Sequence, residues 1–355
     1  MIWIYDLTCE QLKNALFIAG MKPFVTDQVF QWLYGKNQPD IAEWLNISKT
    51  NRSTLAQTYD TKPITAIDIS KDDQGTKKIL FQLADNYRVE SVLIKEKTHY
   101  TFCISTQVGC ALKCSFCATG AMGFKRDLTA GEILCQVLML KKELVQYTGK
   151  INLVFMGMGE PLLNYDNLKQ AIEIITAEKG IGISPRNITI STAGILENII
   201  RFETDFPRVK ISFSLNGSSS AMREELMPIS KKEKLTDILN YFRSTAGQRK
   251  HRITFEYVML KGINDSLKDA AKIVKLLHGI PCKINLIPYN PTAAIAYKTP
   301  DVKTVEAFDD YLHSKGHTVI VRWSKGKNIK SACGQLAAET TNPPPAAKKQ
   351  DKDIS

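Results

Sequence analysis

The sequence predicts an α/β protein: a partial (βα)6 barrel, preceded by a small helical domain and a short β-rich connection. Three observations carry this. From residue 101 onward, short apolar strand patterns alternate with helical ones. Residues 1 to about 60 repeat apolar side chains at helical spacing. Between them lies a stretch whose apolar residues alternate. The chain has 355 residues, with 44% hydrophobic and 23% charged, which excludes global disorder and fibrous architectures. It is long enough for two domains of ~150 residues. Lys and Arg exceed Asp and Glu by 47 to 36, a formal charge of +11, which favours a polyanionic partner, nucleic acid before anionic membrane.

The first domain, residues 1–62, is read as helical. Thr8 and Gln11 have capping-box spacing, and Leu12, Leu16 and Phe17 follow at helical intervals, as do Val25, Val29, Phe30 and Leu33. Such a unit has too small a core to stand well alone. Residues 63–100 form the β-rich connection. Ile64, Ile67 and Ile69 alternate, as do Ile79, Phe81 and Leu83. Asp72-Asp73-Gln74-Gly75 is the turn between these runs, and Val89 to Ile94 is a further strand.

Residues 101–336 hold the barrel and a cysteine-bearing carboxyl-terminal segment. The expected strands are Thr101–Thr106, Ile151–Met156, Ile188–Ser191, Val209–Leu215, Ile253–Met259, Lys283–Pro288 and His317–Arg322. Thr129 and Glu132 set a second capping box, opening a helix towards Tyr147. In parallel βα folds the chemistry gathers at the carboxyl ends of the strands. Residues 337–355, with Pro343-Pro344-Pro345 among Ala, Lys and Asp, are expected to be disordered. No basic leader opens the chain and no apolar run approaches the ~20 residues of a membrane span, so a cytoplasmic protein is expected.

Eight cysteines are present, and three fall within eight positions: Cys110, Cys114 and Cys117, spaced CxxxCxxC after the first barrel strand. In a reducing compartment such a cluster reads as metal chemistry rather than disulfides. Thiolate softness favours iron–sulfur. Three ligands on a four-iron cube leave one iron open to a small molecule. Zinc completed by Cys103 or Cys333, and simple packing of small apolar residues, are the alternatives.

CxxxCxxC after the first strand, with Phe116 inside it, resembles the signature of the radical S-adenosylmethionine (SAM) superfamily. Further segments narrow the likeness: Phe102-Cys103 ahead of the motif, Gly157-Met158-Gly159-Glu160-Pro161 after the second strand, Asn285 to Pro291 after the sixth, and Ala332-Cys333-Gly334-Gln335-Leu336. Together, from about residue 9 to 336, they resemble the RlmN/Cfr family of RNA adenine methyltransferases.

The resemblance implies a partial (βα)6 radical SAM barrel, an RNA-binding accessory domain, and a [4Fe–4S] cluster on Cys110, Cys114 and Cys117. It places Gly159, Glu160, Ser191, Ser214, Leu215, Asn216 and Asn290 on SAM. Asn216 stands where the family usually has His, and can still form hydrogen bonds. The resemblance implies that Cys333 takes a methyl group from SAM, that Cys103 resolves the RNA adduct through a transient disulfide with Cys333, and that Glu90 accepts a proton. Val92 and Ile94 share the strand face of Glu90, company that favours a base.

The implied substrate is an adenine of 23S ribosomal RNA, and for some members of tRNA, with carbon 2 the commoner target. Carbon 8, with antibiotic resistance, is the alternative; another radical SAM reaction or a non-catalytic zinc RNA-binding protein are the rivals. A reductase is the expected electron donor and a monomer the expected state. Arg322, Lys325, Lys327 and Lys330 before Cys333, and Lys231, Lys232 and Lys234, suit RNA phosphates. Gly326 to Ser331 is basic where the family usually carries Asp.

Overall fold

The structure, a computed structural model, describes residues 1–144, 146–292, 295–323, 329, 331–332 and 334–337. Cys333, Lys325, Lys327, Lys330, Asn328 and residues 338–355 lie outside the described residues.

Ten strands of the described residues form one sheet. They are β1 (Thr65–Lys71), β2 (Lys77–Gln82), β3 (Arg88–Lys95), β4 (Tyr100–Cys103), β5 (Ile151–Phe155), β6 (Ile188–Thr192), β7 (Lys210–Ser214), β8 (Ile253–Met259), β9 (Cys282–Pro288) and β10 (Thr318–Val321). The first four pair antiparallel in sequence order. From β4 to β10 every neighbouring pair is parallel. Six βα crossings thus close on a seventh strand, as a partial barrel requires. All the parallel strands point their carboxyl ends one way.

Burial alternates along these strands and identifies the two faces. On β5, Leu153 and Phe155 are buried while Asn152 and Val154 are half-exposed. On β6, Ile188 and Ile190 are buried while Thr189 and Ser191 are half-exposed. Phe213 of β7 and Phe255 of β8 pack edge-to-face with Phe242 of the helix Leu235–Ser244, so that face is the one under the helices. The opposite, inward face is polar and open. A closed eight-stranded barrel fills this space with branched side chains; here the inward side chains are mostly polar, and Asn152, Thr189, Ser191 and Ser214 among them are half-exposed.

The amino-terminal helices Cys9–Ile18 and Lys49–Thr58 dock on the barrel and share its core. Both expected capping boxes are present, at Thr8 with Gln11 and at Thr129 with Glu132. Gly131 donates to Asp6 at 3.0 Å, and a Cβ there would strike Asp6, Trp3 and Tyr5, so glycine lets the two units meet. Asn37 donates to the Leu138 carbonyl at 2.8 Å. Three expectations differ in detail. The helix from Ala130 ends at Lys142, five residues short of Tyr147. Ile67 and Ile69 are 40% and 48% exposed, because β1 is the sheet edge and that face has no covering element. Phe17 is 70% exposed, since Leu12 and Leu16 alone turn inward from their helix.

Candidate active site

The chain leaves β4 at Cys103, makes a short strand Gln107–Gly109, and returns antiparallel as Phe124–Asp127. The three cysteines lie on the loop between. The Cys110 amide donates to the Gly123 carbonyl at 3.0 Å and closes its neck. Cys117 precedes a one-turn helix, Ala118–Ala121, and its amide donates to the Cys114 carbonyl at 3.1 Å. The loop is pinned from outside. The Ser115 amide donates to the Leu226 carbonyl at 2.9 Å, and the Tyr297 hydroxyl reaches Ser115 Oγ at 3.0 Å.

The segment after the last strand returns to this loop. The Ala118 amide donates to the Gly334 carbonyl at 2.8 Å, and Thr119 Oγ1 donates to the Leu336 carbonyl at 2.6 Å. Both neighbours of Cys333 are described, and Ala332 is buried.

Cys110, Cys114 and Cys117 share one apolar cluster with Leu112, Phe116, Ala193, Leu226, Met227, Leu260 and Tyr289. Burial pushes the Cys110 thiol up to about 12, and charge on Cys117 adds to it. Burial, then Cys117 and Cys110, push Cys114 higher still. Three soft thiolate donors on one loop, in apolar surroundings, suit three irons of a four-iron cube, one thiolate to each.

Glu90 and Cys103 lie on adjacent strands. Val92 pairs with Cys103, so Glu90, two residues from Val92, shares that inward face. Both are buried. The apolar company expected of Glu90 includes a cation: Lys78 Nζ is 2.8 Å from its Oε1. Ser105 Oγ donates to the Glu90 carbonyl at 2.6 Å and takes the Met158 amide at 2.8 Å, which ties this strand to the loop after β5.

The residues placed on SAM by resemblance all gather at the carboxyl ends of β5 to β9. Their glycines serve the protein's own packing. A Cβ on Gly157 would lie 2.6 Å from Ser105 Oγ, and one on Gly159, whose φ is +100°, would lie 2.5 Å from Gln107 Cβ. These two glycines therefore let the loop after β5 pack closely on Ile104–Gln107. Glu160 is buried, and its oxygens accept from the Leu162 amide at 3.1 Å and the Ala193 amide at 2.8 Å. It pins the loop after β6. Ser191 and Ser214 are half-exposed on the inward face. Leu215 is fully buried, with its amide on the Glu256 carbonyl at 2.9 Å. Asn216 has φ +51°, a conformation that Asn tolerates better than most side chains. Its Oδ1 accepts from the Val258 amide at 2.9 Å. Asn290 is buried just beyond β9.

Burial also pushes the Glu160 carboxyl up to about 7, against the pull of its hydrogen bonds from Ala193, Thr192 and Leu162. The folded protein then holds this proton after the unfolded chain has lost it at ~4.3. Stability from this group falls as pH rises from there to about 7 and is level above. Urea midpoints of the wild type are expected to fall across that window more than those of Glu160→Gln. Equal slopes would refute the assignment.

Sequence reasoning missed Arg223. It is fully buried and donates through Nε to the Leu215 carbonyl at 3.1 Å and through Nη2 to the Ser214 carbonyl at 3.0 Å and to the Ala193 carbonyl. Its Nη1 meets Ser230 Oγ. In Ser220–Leu226, a helix carrying Glu224 and Glu225, nothing marks this arginine as internal. Gln107 was missed too; its Oε1 accepts the Glu160 amide at 2.8 Å.

A curated relative from Solidesulfovibrio magneticus, the dual-specificity RNA methyltransferase RlmN, is 41% identical over 95% of this chain and 96% of its own length. The chain belongs to the RlmN family. The RlmN relative from Nautilia profundicola is 40% identical over 94% of the chain and 98% of its own length. Residues 104–276 match the radical SAM superfamily model, and residues 2–60 match that of the ribosomal RNA large subunit methyltransferase N-terminal domain. A radical SAM methyltransferase from Sphaerobacter thermophilus superposes with a TM-score of 0.91, at 37% identity over 96% of this chain and all of its own. The cofactors of an RlmN enzyme are a [4Fe–4S] cluster and SAM.

Proposed function

We propose that the chain methylates carbon 2 of an adenine in 23S ribosomal RNA and in tRNA, with Cys333 as methyl carrier, Cys103 as resolving thiol and Glu90 as proton acceptor. The observation that carries this reading is the return of the carboxyl-terminal segment to the cluster loop, through Gly334 to Ala118 and Leu336 to Thr119, a loop that follows the strand ending in Cys103. Cys110, Cys114 and Cys117 would hold the cluster. With SAM bound, it supplies a carbon radical, the chemistry needed at a ring carbon that is neither nucleophilic nor acidic.

The chain's own residues do the rest. The Cys333 thiolate would take a methyl by displacement at the methyl carbon of SAM, with S-adenosylhomocysteine leaving. After that methyl loses one hydrogen atom to the radical, its carbon would join Cys333 to the base, and the adduct would give one electron back to the oxidised cluster. Glu90, held by Lys78, takes the proton that the base gives up. Cys103 then attacks the Cys333 sulfur. The S–S bond forms as the S–C bond breaks; the electron pair goes to the exocyclic carbon, which takes a proton to become the methyl group, and a reductase restores the two thiols. A target adenine must leave its stack to reach this depth. The surplus of +11 supports an RNA partner, with Lys231, Lys232 and Lys234 among the phosphate contacts.

Among the described residues no helix is long and apolar enough to cross a membrane. A cytoplasmic monomer fits a cluster that needs reducing conditions.

Cys103→Ala, expressed in a bacterial host, is expected to stall as a covalent RNA adduct on Cys333. Digestion and sequencing of the attached fragment names the RNA, and mass spectrometry locates the base carbon. Cluster-loaded Cys103→Ala free of RNA, with an unmethylated Cys333 peptide, would overturn the two-cysteine reading.

A further inference from the structure

We propose that Glu256 binds an adenosine seated inside the barrel by accepting a hydrogen bond from a ribose hydroxyl. Glu256 sits at the centre of β8 and faces inward. Its Oε1 takes two donors, Ser212 Oγ from β7 at 2.5 Å and Asn285 Nδ2 from β9 at 2.8 Å. Those three residues come from three adjacent strands and form one buried polar group.

Both hydrogen bonds fall on one oxygen. Oε2 takes none from a described residue, and it is not among the sealed, unpartnered polar atoms of the interior. The fixed carboxylate therefore presents one acceptor to the inward space. Across the described residues of β4 to β10 it is the one carboxylate on that face. Its neighbours there are Ser214, Thr254 and Val258.

A lone acceptor in an open space needs a donor. A protein that folded for stability alone would have met both oxygens, because a buried carboxylate is costly unless fully paired. Ser214 on the adjoining β7, and Ser191 on β6 beyond it, are half-exposed on the same inward face, beside the space that Glu256 faces. A carboxylate beside a nucleoside is the usual partner of a ribose hydroxyl. This proposal rests on the reading that SAM lies across the carboxyl ends of the strands. Two adenosines come to this barrel, that of SAM and the target nucleotide, and either presents such a hydroxyl.

The test is a binding cycle on the full-length, cluster-loaded protein without reductant. S-Adenosylhomocysteine and its 2′-deoxy and 3′-deoxy analogues are titrated calorimetrically into wild type and Glu256→Gln. In a second arm, short RNAs with adenosine or 2′-deoxyadenosine at the target are bound by both proteins. Loss of one hydroxyl is expected to weaken binding to wild type roughly tenfold or more, as for a hydrogen bond to a charged group. Glu256→Gln is expected to bind the parent ligand about as weakly and to show no further loss with the deoxy form.

The arm that shows this non-additivity names the source of the hydroxyl. Wild type that binds every deoxy ligand as tightly as its parent overturns the proposal, and so do losses that add in full. The wild-type comparison stands even where Glu256→Gln fails to fold. Failure of wild type to bind S-adenosylhomocysteine at all would overturn the SAM reading, and the SAM source with it, leaving the RNA arm to decide.

Discussion

Replacing Gly109 with alanine is expected to cost the protein its cluster. Gly109 has φ +75°, and a Cβ there would lie 1.8 Å from the Gly123 carbonyl oxygen and 2.9 Å from its carbon. Both atoms are backbone, so no rotamer change relieves the overlap. The same carbonyl accepts the Cys110 amide, the bond that closes the cysteine loop. An alanine must therefore open the neck and move Cys110 away from Cys114 and Cys117. The left-handed conformation alone costs ~1–2 kcal/mol, and overpacking typically adds ~1–3 kcal/mol.

Iron and acid-labile sulfide after anaerobic reconstitution are expected to fall to a small fraction of wild type. Gly123→Ala is the control. Its φ is +71°, but nothing lies within 4 Å of a Cβ there, so it carries the conformational cost without the collision. It is expected to lose ~1 kcal/mol and keep its iron. Equal iron in Gly109→Ala and wild type, with an unchanged urea midpoint, would refute the argument.

Arg223→Met is expected to be the most destabilising change outside the loop. The guanidinium binds the carbonyls of Ala193, Ser214 and Leu215 and the hydroxyl of Ser230, and so joins the ends of β6 and β7 to the helix Ser220–Leu226. Methionine fills much of the volume and satisfies none of these acceptors. Each buried acceptor left unpaired costs ~1–3 kcal/mol, so a loss of about 4 kcal/mol in urea unfolding is expected.

Arg223→Lys should recover little, because one ammonium cannot reproduce a planar fork aimed at three carbonyls. Burial pulls the Arg223 pKa down to about 10, with Cys114 and Glu160 opposing, so the group stays charged at neutral pH. SAM binding should fail together with stability, since Ser214 and Ala193 move. A variant with wild-type stability would show that solvent or a neighbour replaces the fork.

The parallel architecture was legible because it follows from local patterning. Ile253–Met259 was located to the residue, and the other barrel strands to within a few residues. Thr8 with Gln11 and Thr129 with Glu132 cap their helices through side chains three residues apart, a relation that no tertiary contact changes. The cysteine motif was legible for the same reason: its spacing lies within one loop. Exposure was less so. Ile67 and Ile69 alternate as a buried strand would, and only their place at the sheet edge leaves them in solvent.

By itself the sequence determined the order of strands and helices, the cluster ligands proposed on one loop, and the family. These depend on near neighbours along the chain or on motifs kept in order. Only the tertiary structure decided what the polar side chains meet. It gave Glu90 its cation from β2, packed Gly159 against Gln107, placed Arg223 among four acceptors, and left Glu256 one oxygen facing the inside of the barrel. The physical reason is that a buried charge or donor is satisfied by groups that register brings alongside it. Register between distant strands is set by the closure of the whole sheet, not by any segment of it.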